Sequence, residues 1–435
     1  MKKLTIAPNR RHLQWEDGEP FFYLGDTAWE IFHRLSREEV DHYMDVRAEQ
    51  GFNVVQAVAL AEFEGTGVPN AYGRLPLGFD ADGLPDPTKP DLTGEYHYWD
   101  HVDYVVARAA ERGLFIGLLP TWGDKVNLCW GKGPVIFNEE NARAYGHWIG
   151  SRYKDAWNII WIMGGDRPME DSHRAIVAAM AEGVRAGDGG SHLITFHPCG
   201  ESSSYASVGK AQWLDFHMLQ TGHHVGYYDC WRMIDEIAAA DPDRPVLDGE
   251  PRYEDHPSCF NLKYGTLWDA ADVRNSAYWD VFHGACGHTY GNHSIWSFNR
   301  ERQDYWPYTW FEVLTHEGAE DMRHLKALVT LRPYLERRPA QELVAEEDGT
   351  VNGHVAACRG EAYAFVYAPL GLPLKVNMGV LAGPAVKFGW FDPRTGAFLP
   401  QSVVPNRGVC HFVPPTQGRG QDWVLVLDSP EAESK

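Results

Sequence analysis

Between residues 21 and 298, short apolar runs alternate with longer runs in which apolar residues return at helical spacing. The first run, FFYLGD (21–26), precedes a helical stretch opened by the capping box of Ser36 and Glu39 and closed at Gly51. Further strand-like runs are FNVVQAVALA (52–61), FIGLLPTWG (115–123), NIIWIMGGD (158–166) and LITFHPCG (193–200). LDFHMLQTGHH (214–224), PVLDGEPRYE (245–254) and HTYGNHSIWSF (288–298) complete the series. Helical period fills 98–113, 138–155, 173–187, 228–242 and 273–287 between them. Strands that alternate with helices argue for a parallel sheet, and runs that are apolar throughout argue for strands covered on both faces. About eight such units predict an α/β chain folded as a (β/α)8 TIM barrel rather than an open doubly wound sheet. A last helix, 316–339, ends in Pro339. Beyond it, HVAACR, AYAFVYAP, LKVNMG, VKFGWFDPRTGAF and DWVLVLD are short strands separated by turn residues. We therefore expect a barrel over 1–339 and an antiparallel β-sandwich over 340–435.

Bulk properties narrow the function. A formal net charge of −21 leaves no basic footprint for nucleic acid and disfavours an anionic membrane surface. No stretch reaches membrane-spanning length. Seven scattered Cys without a C-x-x-C pair fit reduced, mostly buried thiols. The N-terminus MKKLTIAPNRRHLQW has no apolar run of signal length, so the expected location is cytoplasmic. No G-x-G-x-x-G follows the first strand and no phosphate-binding loop motif occurs, so no cofactor is expected. The 17 Trp fit either aromatic core filling or sugar stacking, and composition does not separate the two. Oligomeric state is not legible.

In such a barrel the chemistry sits at the C-terminal ends of the strands. NIIWIMGGDRP carries an apolar strand through Gly164 and Gly165 to Asp166. Asp166 reads either as an N-cap ahead of Pro168 or as a carboxylate presented to a substrate. PVLDGEPRYE repeats the arrangement with Glu250, which reads either as a salt-bridge partner of Arg252 or Arg167 or as a second catalytic acid. Two acids at two strand ends suit a glycosidase, in which one carboxyl stays protonated and the other ionised. Other strand ends carry groups suited to a sugar: Asp26, Trp29, Gln56, Glu62, Trp122, His197, His217, Gln220, Tyr290 and Trp296. His223, His224 and Asn292 lie nearby in sequence.

These stretches, together with FFYLGDTAWEIFHRLSREEV, GFNVVQAVALAEFEG and YWDHVDYVVARAAERGLFIGLLPTWGDKVN, resemble the apiosidase-like glycoside hydrolases (glycoside hydrolase family 140) over roughly residues 8–335. The resemblance implies a (β/α)8 catalytic barrel with a C-terminal β-sandwich, the latter similar to a domain named for collagen binding. It implies Asp166 as general acid and Glu250 as nucleophile or base. It also implies release of apiose, a branched pentose, from a pectin side chain, or of a related pentofuranoside. Analogy with other barrel glycosidases favours retention, and no metal is needed. Two rival readings are a metal-dependent barrel hydrolase, prompted by the 20 His and by HTYGNH, and a carbohydrate-binding protein without catalysis. Against the first, the strand-one site GDTAWEIFH lacks the H-x-H spacing of such hydrolases.

Overall fold

The computed structural model describes residues 2–224, 229–346 and 350–430. Eight strands point the same way around one axis: β1 (Tyr23–Thr27), β2 (Val54–Leu60), β3 (Phe115–Thr121), β4 (Ile159–Gly164), β5 (Ile194–His197), β6 (His217–Gln220), β7 (Val246–Asp248) and β8 (Gly287–Tyr290). Parallel ladders join β5-β4-β3-β2-β1-β8 and, separately, β6-β7. Backbone hydrogen bonds close the ring at both seams, from Asp215 to Ile194 (2.8 Å) and from Cys286 to Val246 (2.8 Å). The predicted barrel is what forms.

The helices of five residues or more outside it are α1 (Arg37–Glu49), α2 (Tyr98–Glu111), α3 (Glu139–Tyr153), α4 (Asp171–Asp188), α5 (Ser204–Val208), α6 (Cys230–Ala240), α7 (Ala270–Phe282) and α8 (Glu317–Thr330). The Ser36–Glu39 capping box opens α1, and Gly51 follows its end with φ +85°. The short α5 has no counterpart among the expected helices. The helix read over 228–242 begins in part outside the described residues. The last helix stops at Thr330 rather than Pro339, because Pro333 has no N–H to donate and disfavours helical backbone at Arg332. The strand expected over 245–254 is only three residues long, and that over 288–298 ends at Tyr290.

Alternation along each strand divides two apolar layers. Tyr23, Val54, Val58, Leu119, Ile162 and Met218 fill the barrel interior, while Val55, Ala57, Leu118, Trp161 and Phe196 face the helices. Three short N-terminal strands, Leu4–Ile6, Leu13–Trp15 and Pro20–Phe21, stopper the base. There Trp15 and Phe21 pack on Phe115 and Trp15 on Trp157.

The second unit contains β9 (Ala356–Arg359), β10 (Tyr363–Ala368), β11 (Leu374–Asn377), β12 (Ala385–Phe391), β13 (Ser402–Pro405), β14 (Val409–Phe412) and β15 (Trp423–Asp428). An antiparallel sheet ordered Arg338–Pro339, β9, β10, β15, β12, β13 faces the β11-β14 pair. The strands β13 and β14 escape a sequence reading because both are only four residues long and largely exposed. The unit docks on α7 and α8. Tyr278 stacks on Tyr367 with ring centroids 4.7 Å apart. Buried Arg274 forks onto Asp422 (2.7 and 3.1 Å) and reaches Asp321 (2.7 Å). Removing one partner of such a buried pair costs about 3–5 kcal/mol. Asp422→Ala is therefore expected to lower stability by an amount of that order, read as a shift in the urea midpoint; an unchanged midpoint would show that this ion pair does not hold the two units together.

Candidate active site

The turn after β4 is unusual in its backbone. Gly164, Gly165 and Asp166 have φ of +89°, +118° and +51° in succession. A Cβ on Gly164 would lie 2.4 Å from the His197 carbonyl, and one on Gly165 would lie 2.8 Å from the Gly123 nitrogen. Only glycine fits at both positions, and the turn delivers the Asp166 carboxyl into the mouth of the barrel. The N-cap position of α4 is Glu170, so Asp166 is not the cap. Its Oδ2 accepts from the Trp130 indole (3.3 Å) and from Arg167 Nη1 (3.1 Å).

Glu250 stands at the end of β7 with its backbone fixed at several points. Its N–H donates to Asp248 Oδ1 (3.2 Å), its carbonyl accepts from Gly222 N–H (3.0 Å), and the preceding carbonyl accepts from Gln56 (2.8 Å). Its carboxylate meets neither Arg252, which stacks on Trp268, nor Arg167. Instead Tyr253 OH donates to Oε1 (2.7 Å), and His223 Nε2 lies 3.4 Å from the same oxygen. His197 Nε2 lies 2.9 Å from Oε2, off the line of a regular hydrogen bond.

These surroundings drive the two acids apart. Burial, then the nearby Glu250 charge, raise the Asp166 carboxyl above its ordinary range against the pull of Arg167 and His197. Burial also opposes ionisation of Glu250, but the contacts with His197 and His223 outweigh it and hold this carboxyl far below its ordinary range. The direction follows from geometry, since Glu250 has three polar groups at its oxygens and Asp166 faces a negative charge. Glu62 is also raised, first by burial and then by Glu30, Asp166 and Asp124, against Arg167 3.6 Å away.

Asp166 and Glu250 line one cavity of about 530 Å³ at the C-terminal ends of the strands. Of the residues expected to bind substrate, Trp29, Glu62, Trp122, Gln220 and Trp296 line it too. His197 and Gln56 lie beneath its floor, the first against Glu250 and the second under Gly249. Asp26, His217 and Tyr290 are elsewhere, because alternation turns each of them outward. Asp26 accepts from Tyr43 OH (2.5 Å) and buried Arg47 (2.6 Å) of α1. His217 bonds Ser204 and Asp241, and Tyr290 donates to Glu254 (2.5 Å). Asn292 is likewise turned to Asp255.

His223 and His224 also line the cavity, with His293 of the HTYGNH run and with Trp130, Tyr253, His256, Phe260 and Tyr305, which the sequence reading did not single out. Tyr253 was within reach, since it lies three residues after Glu250 in the same quoted run; the others sit on long loops without periodicity. His288 and His293 of HTYGNH diverge, the former onto Asp280 and the latter into the cavity wall. Among the described residues, no group of three or more His, Cys, Asp or Glu side chains is placed to hold a metal ion.

Two outcomes follow. Asp26→Ala is expected to destabilise the fold by about 3–5 kcal/mol, as Arg47 loses its buried partner, while the catalytic rate of the folded fraction stays near wild type; a lost rate with unchanged stability would put Asp26 on the substrate instead. Glu250→Gln removes the charge that raises Asp166, so the Asp166 carboxyl should titrate at lower pH in the variant, as read by carbon-13 NMR. An unmoved titration would show that the two groups do not interact.

The apiosidase-like catalytic domain model matches residues 7–336, and the model described as "Putative collagen-binding domain of a collagenase" matches residues 338–428. A crystal structure described as a glycoside hydrolase family 5 from Bacteroides vulgatus is 32% identical, with a TM-score of 0.89 over 98% of this chain and 93% of that one. A second solved structure, described as a glycoside hydrolase, is 33% identical, with a TM-score of 0.88 over 99% of this chain and 97% of that one. No curated protein matches the sequence.

Proposed function

The chain belongs to the apiosidase-like glycoside hydrolases, and from that premise we propose that it removes a pentofuranosyl, apiose-like residue from plant-derived oligosaccharides or glycosides by two-carboxylate catalysis. That it is a glycosidase follows from the family; the sugar and the mechanism are our reading. The observation that carries it is the opposed pair Asp166 and Glu250, one favouring its proton and the other its charge, in a single cavity.

In this mechanism Asp166 protonates the glycosidic oxygen as the bond to the aglycone breaks. Glu250 attacks the anomeric carbon and forms a glycosyl-enzyme. Asp166, now ionised, then takes a proton from the water that hydrolyses it. A carboxylate held far below its ordinary range is a poor proton acceptor, which disfavours Glu250 as the base of an inverting enzyme. The same property makes it a good leaving group in the second step but a weaker nucleophile in the first, so our reading of retention rests on the analogy with other barrel glycosidases. Glu62 is the alternative proton donor, but Asp166 is the acid whose range Glu250 itself raises.

The rest of the cavity suits a hydroxyl-rich ring. Trp122 Nε1, Gln220 Oε1, His223 Nδ1 and His293 Nδ1 are buried polar atoms without a partner among the described residues, on side chains that line it. Sugar hydroxyls would satisfy such groups.

Activity should rise as pH climbs past the lowered Glu250 titration and fall as it passes the raised Asp166 titration. The active window is thus wider at both ends than two ordinary carboxyls would give. Wild type, Glu250→Gln and Asp166→Asn are to be assayed on apiose-bearing pectic oligosaccharides and on aryl pentofuranosides. We expect a single pentose to be released with its anomeric configuration retained, and Glu250→Gln to lose several orders of magnitude on every substrate. Asp166→Asn should lose far less on aryl glycosides with acidic leaving groups, which need no proton. An active Glu250→Gln would overturn the mechanism, and inversion would make Glu250 a base.

A further inference from the structure

Trp130 occupies a distinctive position beside Asp166. One face of its ring lies on the guanidinium of Arg167, 4.6 Å from the ring centroid, and Arg167 is fully buried. The indole N–H points to Asp166 Oδ2. The rest of the side chain is open, with 46% of Trp130 exposed at the edge of the cavity, and Leu128 of the same loop is 47% exposed.

The loop that presents Trp130 is tied down. Asp124 Oδ2 accepts from the backbone N–H of Gly133 (2.9 Å) and Lys132 (3.2 Å), while Arg167 Nε donates to the Trp130 carbonyl (3.1 Å). Gly131 has φ +97°, and a Cβ there would come within 2.6 Å of Arg167 Nη2, so the loop lies directly on the arginine. An exposed Trp of this kind has its orientation set before any ligand arrives.

General acid catalysis then assigns the open face a side. The acid must sit next to the oxygen of the leaving group, so a ring hydrogen-bonded to the acid borders the aglycone and not the sugar being cleaved. We propose that Trp130 is the platform of an aglycone subsite, and that this subsite takes a flat ring with an apolar face, with an aromatic ring favoured over a sugar. This rests on the reading of Asp166 as the acid. The guanidinium on the buried face draws electron density from the indole, which weakens the open face for sugar C–H groups and suits it to a second π system.

Two measurements test the platform. The first does not depend on hydrolysis. Phenol is titrated into the nitrogen-15-labelled wild type, and the Trp130 indole N–H resonance is followed, assigned by its absence in Trp130→Phe. A saturable shift is expected; no shift up to the solubility limit of phenol overturns the proposal, and an equal shift with a free hexose overturns the preference for an aromatic ring.

The second uses phenyl and trifluoroethyl pentofuranosides. Trp130→Ala should raise KM for the phenyl substrate about tenfold relative to the trifluoroethyl one. Trp130→Phe should restore the phenyl KM yet move the alkaline limb of the pH profile upward, since the N–H that favours ionised Asp166 is lost. Equal losses on both substrates in Trp130→Ala would reduce Trp130 to a support for Asp166. If the wild type cleaves neither substrate, the proposed activity fails, and the phenol titration still decides the platform.

Discussion

Closing a parallel sheet on itself leaves each strand residue only two directions, into the barrel or out toward the helices. Much else in this structure depends on that parity. It separates Val54 and Val58 from Val55 and Ala57 on one strand, so a single apolar run supplies two cores. It also decides which polar groups at the strand ends can meet. His197 and Gln220 turn inward and approach the cavity, whereas Asp26, His217 and Tyr290 turn outward and are consumed by Arg47, Asp241 and Glu254.

The same constraint explains what the sequence does and does not disclose. Barrel strands and helices are legible because apolar runs and capping signals are local. Ser36 and Glu39 announce a helix start that forms as expected. Asp166 and Glu250 are legible because glycine and proline mark the places where strands stop. Parity was legible in principle, since Tyr23 and Asp26 are an odd number of residues apart and cannot share a face of a regular strand. Reading every polar strand-end residue as part of the rim ignored it. The wall made by His256, Phe260 and Tyr305 was not legible, because it depends on where long loops lie after the barrel has closed.

Electrostatically, the site concentrates contrast on a chain that is acidic overall. Carboxyl groups placed close together in a poorly solvated space cannot all ionise, and the available cationic and hydrogen-bonding partners are unequally shared. Glu250 receives Tyr253, His223 and His197, while Arg167 is divided between Asp166 and the more distant Glu62. The fold thus sets chemically similar groups apart by rationing neighbours rather than by changing residue type.

The left-handed backbone at Asp166 also bears on how such a protein could change over generations. Among residues with a side chain, asparagine and aspartate are the ones that best tolerate this conformation. Replacing the carboxyl by an amide there leaves the turn comfortable while abolishing its proton. A lineage descended from this enzyme could therefore lose the proposed general acid in a single step and still fold, keeping an intact cavity free to be recruited as a receptor.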